Sequence, residues 1–355
     1  MKRLYIEFKD DVIGRNVLKK DRIVNYDAIR VLQSLFVICV HTALPLLVED
    51  NVLLNNTITS FLFQCNGVFF MLSGYFNLSK EFSNSEDYKN FYLTRFMTII
   101  IPYSVVSIIF VIIRCVQEHA VLNVKGYIWI IIDTIISANA SSHLWFVCIL
   151  IGFLISTPFL SKMLHSMKND ELLILFGVGM LWNVVTIYLT ANVGLSFQIS
   201  GWIFAGWPFV FVLGYICSRV VNDNNRKYFY IVGVIGFIIS VLGRTYLDKF
   251  ENATDLSPGY ILFFVAMFLF YEKQLSVKNR IISGVISYLA KYSFLTYMLH
   301  TLVLQNVTKK LFEAQDSIPE YIASILFTFV VSYLLAIITS YIVVSPLQKI
   351  FRIFC

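Results

Sequence analysis

Apolar runs about 20 residues long, the length that carries an α-helix across a bilayer core, recur along nearly the whole chain. No other feature limits the fold as tightly. In hydrocarbon every backbone N–H and C=O must be satisfied within the protein, so only helices and closed barrels can span. Barrel strands would instead read as alternating segments of about ten residues. Spans are expected near 29–49, 57–78, 97–117, 143–162, 172–190, 201–218, 228–245, 258–272, 285–305 and 320–345. The expected fold class is all-α, a polytopic membrane helical bundle of about ten transmembrane helices. Residues 127–137, YIWIIIDTIIS, are too short to span and include Asp133, so a half-helix or interfacial segment is expected there. Only 14% of the 355 residues are charged, against about 25% in soluble domains, which excludes a soluble fold.

Charge placement tests the span count independently. With ten spans, the segment 1–28 and the loops on its side hold 20 of the 28 Lys and Arg residues. The loops on the other side hold 5, and Arg30, Arg114 and Lys291 fall within spans. Positive loops stay in the cytoplasm, so both termini are expected there. Residues 1–22 are mixed in charge and lack the apolar core and small-residue cleavage site of a secretory signal, so they read as a cytoplasmic N-terminal tail. Residues 23–355 read as a single transmembrane domain, without internal repeat, low-complexity linker or appended soluble module. There is no phosphate-binding glycine loop and no basic soluble face, which argues against a kinase, a nucleotide-driven pump or a nucleic-acid partner. The six cysteines, Cys39, Cys65, Cys115, Cys148, Cys217 and Cys355, show neither C-x-x-C nor zinc spacing, so no disulfide, metal or bound cofactor is expected.

Polar residues inside apolar spans are costly and usually face a cavity or a partner. In span one, Arg30 precedes His41 by eleven residues, which places the two on nearly one helical face about 16 Å apart. Asp27 can pair with Arg30 at i,i+3. The pair could line a polar crevice entered from the cytoplasm. Alternatively, Arg30 anchors the span by snorkelling and His41 bonds a neighbouring helix. In FFMLSGYF, residues 69–76, Gly74 permits close helix approach or a backbone break, while Ser73 and Tyr75 offer hydroxyls; a tight packing contact alone would also explain the tripeptide. Arg95, flanked by Tyr92 and Thr98, sits ahead of Pro102 at the start of span three, where it suits a phosphate or serves as a positive-inside anchor. His143 and Trp145 open span four, and Tyr297 and His300 lie in span nine. His41, His143 and His300 fall at broadly similar depths, so a shared polar site is expected.

In this order, Arg30-x10-His41 with Asp27 ahead of it, FFMLSGYF, Arg95 leading to Pro102, HLWF and YMLH resemble acyltransferase family 3 along the whole chain. The resemblance implies a multi-span bacterial enzyme of the plasma membrane that O-acylates a surface polysaccharide or its precursor, or a small molecule. The acyl donor is a cytoplasmic acyl-CoA, acetyl-CoA being the commonest, and the other partners are the lipid bilayer and a surface or lipid-linked glycan acceptor. It further implies that His41 and Arg30 form the essential pair and that Ser73, Gly74 and Tyr75 match the Ser-Gly-aromatic motif. Arg95 lies where some members carry two arginines three apart. Tyr92 and Thr98 occupy the spacings of the second arginine, so this pair is incomplete. The C-terminal esterase-like domain of some members is not expected here. The residues themselves suit such chemistry: arginines for the donor's phosphates, a crevice for its pantetheine arm, and His41 as base toward an acceptor hydroxyl. A histidine-bound acyl intermediate is the variant mechanism. Tyr297, Ser73, His143 or His300 could stabilise the oxyanion or orient the base. A transporter or flippase is the competing class, although no paired Gly/Pro-broken segments recur in matching halves. A purely structural subunit would leave His41 replaceable. Acceptor, acyl group and oligomeric state are not legible in the residues.

Overall fold

Side-chain caps mark where the chain turns into helix. Asn51 accepts from the Leu54 N–H (3.0 Å), Asn84 and Asp87 form a reciprocal capping box, and Asn279 accepts from Ile281 (2.9 Å) and Ile282 (3.2 Å). The computed structural model describes residues 24–42, 51–119, 123–137, 139–189, 206–246, 256–312 and 317–354. The tail 1–22 and parts of the expected spans 29–49, 172–190 and 201–218 lie outside the described residues. Among the described residues the protein is 89% helical and has no strands.

The helices are α1 (Val24–His41), α2 (Val52–Leu78), α3 (Ser85–Arg95), α4 (Ile101–Gln117), α5 (Val124–Ser137), α6 (Trp145–Ser166), α7 (Asn169–Asn183), α8 (Gly206–Val220), α9 (Arg226–Tyr246), α10 (Pro258–Gln274), α11 (Arg280–Ala290), α12 (Ser293–Val303), α13 (Lys309–Leu311), α14 (Ile318–Thr339) and α15 (Ser345–Phe354). Wide π turns join α3 to α4 (Phe96–Ile100) and α14 to α15 (Ser340–Val344), and others follow α7 and α12.

Four described helical stretches are long and apolar enough to cross a membrane: Ser85–Gln117, Ser142–Ser166, Arg226–Tyr246 and Ile318–Ile353. The protein is a membrane protein, and its helix faces show why. Helix α14 exposes Ile322, Leu326, Val330, Leu334 and Ile338 at four-residue spacing and buries Ser324, Thr328, Ser332 and Tyr333. A helix with aliphatic residues outward and hydroxyls inward is built for lipid, where polar side chains serve as interhelical glue.

The other expected spans are helical over most of their described residues, but shorter or more polar. Helix α2 has 27 residues yet carries Asn55, Asn56, Gln64, Asn66 and Asn77, and α10 has only 17 residues, most of them buried. The window 285–305 is not one helix. It breaks at Lys291 and Tyr292, between α11 and α12, so exposed Lys291 lies in a turn rather than inside a span. The window 97–117 begins twelve residues early, at Ser85, which moves Arg95 from a loop into helix. Residues 127–137 fall in α5, whose 14 residues rise about 21 Å, short of the roughly 30 Å bilayer core.

The chain divides into two compact units. The first comprises residues up to 81, 159–291 and 316–318; the second comprises 82–158, 292–315 and 319–355. In the first unit α2 is central and packs against α1, α8, α9 and α10. Its contact with α8 runs backbone to backbone. A Cβ placed on Gly74 would fall on the Phe211 carbonyl, and one placed on Gly214 would fall on the Met71 carbonyl. In the second unit Gln348 of α15 donates to the Met97 carbonyl in the π turn (2.7 Å), and Tyr103 of α4 donates to the Ile135 carbonyl of α5 (2.9 Å).

Candidate functional site

The first unit carries the Arg30 frame. Asp27, wholly buried in the first turn of α1, accepts from Arg30 Nη1 (2.9 Å) and, with its other oxygen, from Ser287 Oγ of α11 (2.8 Å). The Arg30 guanidinium lies 5.1 Å above the Phe76 ring, and 32% of its side chain is exposed. Carboxylate and aromatic face together fix a planar cation at the entrance of the helix. Beside it, Tyr26 donates to Glu272 Oε1 (3.0 Å), and Glu272 Oε2 accepts from Arg226 Nη1 (2.9 Å). This end of the unit therefore holds two arginines, each set against a carboxylate.

The Ser-Gly-Tyr motif adjoins the frame without forming a second site. The Tyr75 ring packs on Tyr26 at 4.9 Å, Ser73 takes part in a bond from Asn77 Nδ2 (3.2 Å), and Gly74 makes the backbone contact with α8. Of the two readings of Gly74, close helix approach is the observed one. His41 occupies the last turn of α1 and is exposed.

The second unit brings His143, Tyr297 and His300 together. The two imidazoles meet edge to face at 5.0 Å, and the Tyr297 hydroxyl donates to the His143 carbonyl. His143 Nε2 faces the Met298 carbonyl at 3.0 Å, and a carbonyl only accepts, so the proton of neutral His143 sits on Nε2. Nδ1 then accepts from Ser141 Oγ (2.9 Å) and Thr301 Oγ1 (3.2 Å). With both nitrogens engaged, His143 ties the start of α6 to α12 rather than waiting for a substrate proton. His300 places Nδ1 against the Tyr297 carbonyl, so its neutral form keeps the lone pair on Nε2. Trp145 adjoins this cluster through Phe146, whose ring lies 5.3 Å from Tyr297. Arg95, also in this unit, has its guanidinium 5.1 Å from the Phe91 ring.

Among the described residues no group of three His, Cys, Asp or Glu side chains is placed to hold a metal. A model of the acyltransferase domain family matches residues 23–337. The chain belongs to acyltransferase family 3. No curated protein and no solved structure matches it significantly. The match starts one residue before α1 and includes every element described above up to Ile337 of α14, so both polar clusters of this membrane acyltransferase lie within it.

Sequence reasoning missed Ser287, Glu272, Arg226, Ser141 and Thr301. The i,i+3 pairing of Asp27 with Arg30 was legible, but Ser287 reaches Asp27 from 260 residues away and Glu272 reaches Tyr26 from 246. Only the fold joins them. One signal was available: Glu272 is an acid at the end of an otherwise apolar run, PGYILFFVAMFLFYEK.

Proposed function

We propose that the protein transfers an acyl group, acetyl by frequency in the family, from cytoplasmic acyl-CoA to a hydroxyl of a surface polysaccharide or its lipid-linked precursor. The observation that carries this reading is the α1 frame, with Arg30 fixed by Asp27 and Phe76 at one end and exposed His41 eleven residues beyond. Arg30 presents a fixed, partly exposed cation toward the donor's phosphates. Eleven residues of helix rise about 16 Å, a distance for the donor's pantetheine arm to cover.

At His41 the neutral imidazole takes the proton from the acceptor hydroxyl as its oxygen attacks the thioester carbonyl. The tetrahedral intermediate collapses with loss of the CoA thiolate, and the imidazolium returns the proton to sulfur. The ester is formed, free thiol leaves, and His41 ends as it began. General-base help of this kind contributes about 10²- to 10⁴-fold.

The test is transfer of labelled acetyl from acetyl-CoA into envelope glycan by membranes holding equal amounts of wild type or His41→Ala. Incorporation is expected with wild type and a loss of about 10²-fold or more in the variant. Equal incorporation would make His41 structural; none with either protein would favour a transport role or a different donor.

A further inference from the structure

Within the second unit lies a cavity of about 480 Å³ between α3, the π turn Phe96–Ile100 and α6. Its volume falls in the range of small-molecule sites. The π turn makes the wall. Pro102 lacks the N–H that an α-helix would direct at the Thr98 carbonyl, and its ring crowds that carbonyl, so the turn ahead of it widens. The widened turn lays Phe96, Ile99 and Ile100 along the cavity, opposite Ile151 and Ile155 of α6.

The polar side chains of the lining are Lys89, Tyr92 and Arg95, all from α3, and the remaining lining residues are aliphatic or phenylalanine. Tyr92 donates to the Ile155 carbonyl (2.9 Å), which fastens α3 to α6 and directs that hydroxyl at protein. What the cavity offers a ligand is therefore cationic at the α3 end and hydrocarbon beyond it. The complement is an anionic head with an alkyl chain.

Its surroundings identify the source. Phe96 and Ile155 are exposed on outward apolar surfaces of helices that qualify as membrane spans. Helix α15 packs alongside, with Phe351 against Phe96 at 5.5 Å and Gln348 on the Met97 carbonyl. It also carries exposed Lys349 and Arg352 together with exposed Ile350 and Ile353, the composition of a basic amphipathic helix at an anionic lipid surface. The adenine and ribose of a CoA donor would call for polar side chains beyond the two cations and the already bonded Tyr92, and the rest of this lining is apolar.

We propose that this cavity binds an anionic membrane phospholipid, its phosphate held by Arg95 and Lys89 and one acyl chain laid along the π turn and α6. The site stands independently of the transferase reading and gives Arg95 a lipid ligand in place of the donor.

Native mass spectrometry of the purified full-length protein in detergent tests it, with phosphatidylglycerol, phosphatidylcholine and palmitoyl-CoA as probes. Wild type is expected to hold phosphatidylglycerol about tenfold or more tighter than phosphatidylcholine. The double variant Lys89→Gln/Arg95→Gln is expected to erase that preference. Ile155→Trp, which fills the cavity from a side chain 59% exposed, is expected to weaken both lipids without unfolding the protein. Should the charge variant fail to fold, Ile155→Trp and the lipid preference of wild type still decide. Equal binding of the two lipids, binding indifferent to Ile155→Trp, or one-for-one displacement of phosphatidylglycerol by palmitoyl-CoA would each overturn the proposal.

Discussion

Asp27 is where the Arg30 frame can be broken most selectively. Its carboxylate is buried and holds two partners from different parts of the chain, one charged and one neutral. Breaking a fully buried ion pair costs about 3–5 kcal/mol, but Arg30 is 32% exposed and water can take over part of its solvation. Asp27→Asn is therefore expected to destabilise the protein by about 1–3 kcal/mol, and Ser287→Ala, which removes one neutral hydrogen bond, by about 1 kcal/mol. Denaturant unfolding in detergent reads both. A larger loss for Ser287→Ala than for Asp27→Asn would show that Arg30 is held by something other than Asp27. Legibility at this scale followed sequence distance. Asp27 and Arg30 share a helix, so their pairing could be read from spacing alone. Of the three histidines expected to share a polar site, His143 and His300 meet within the second unit and His41 belongs to the first, and the tautomer assignment of His143 rests on the Met298 carbonyl and on Ser141 and Thr301, which no spacing rule connects.

Among the elements, α2 and α8 show how small residues substitute for the hydrophobic effect, which is weak between helices in lipid. Gly74 and Gly214 face the partner backbone reciprocally, and the space for a methyl group is already filled by the Phe211 and Met71 carbonyls. Because backbone cannot rotate out of the way, Gly74→Ala is expected to force the helices apart at a cost at the upper end of the 1–3 kcal/mol typical of overpacking. Gly214→Ala should behave alike, and the double variant should cost less than the two together because one separation relieves both clashes. Thermal unfolding of the three variants checks this; additive losses would mean the two contacts are independent. Gly74 was legible as a candidate for close approach, but Gly214 and the helix it belongs to were not. The π turn before Pro102 and the break at Lys291 escaped prediction for a related reason. A hydropathy window averages over 20 residues and does not register where the hydrogen-bond ladder widens or stops.

For the molecule as a whole, average properties were the most legible and counted ones the least. Apolar length established an all-helical membrane protein, but a helix such as α2, whose Asn56 donates to Thr245 of α9 and whose Gln64 donates to Tyr271 of α10, falls short of a span by composition alone. Charge sidedness bears on the count by a separate route, since a crossing shows as an alternation whatever the hydropathy of the helix between. The ten-span topology with cytoplasmic termini, proposed on that basis, leads to a direct experiment. Single cysteines at Asn51 and Lys125 should lie on the side poor in Lys and Arg, and those at Ser83 and Asp223 on the rich side; all four positions are exposed. With the six natural cysteines replaced, a membrane-impermeant thiol reagent is expected to label the first pair in intact cells and the second pair only after permeabilisation. Ser83 and Asp223 carry most of the weight, because an even number of crossings must separate them. Labelling of one but not the other in intact cells would mean that a helix between them, α4, α5, α6, α7 or α8, has been wrongly counted, and the orientation inferred for the C-terminal half would reverse.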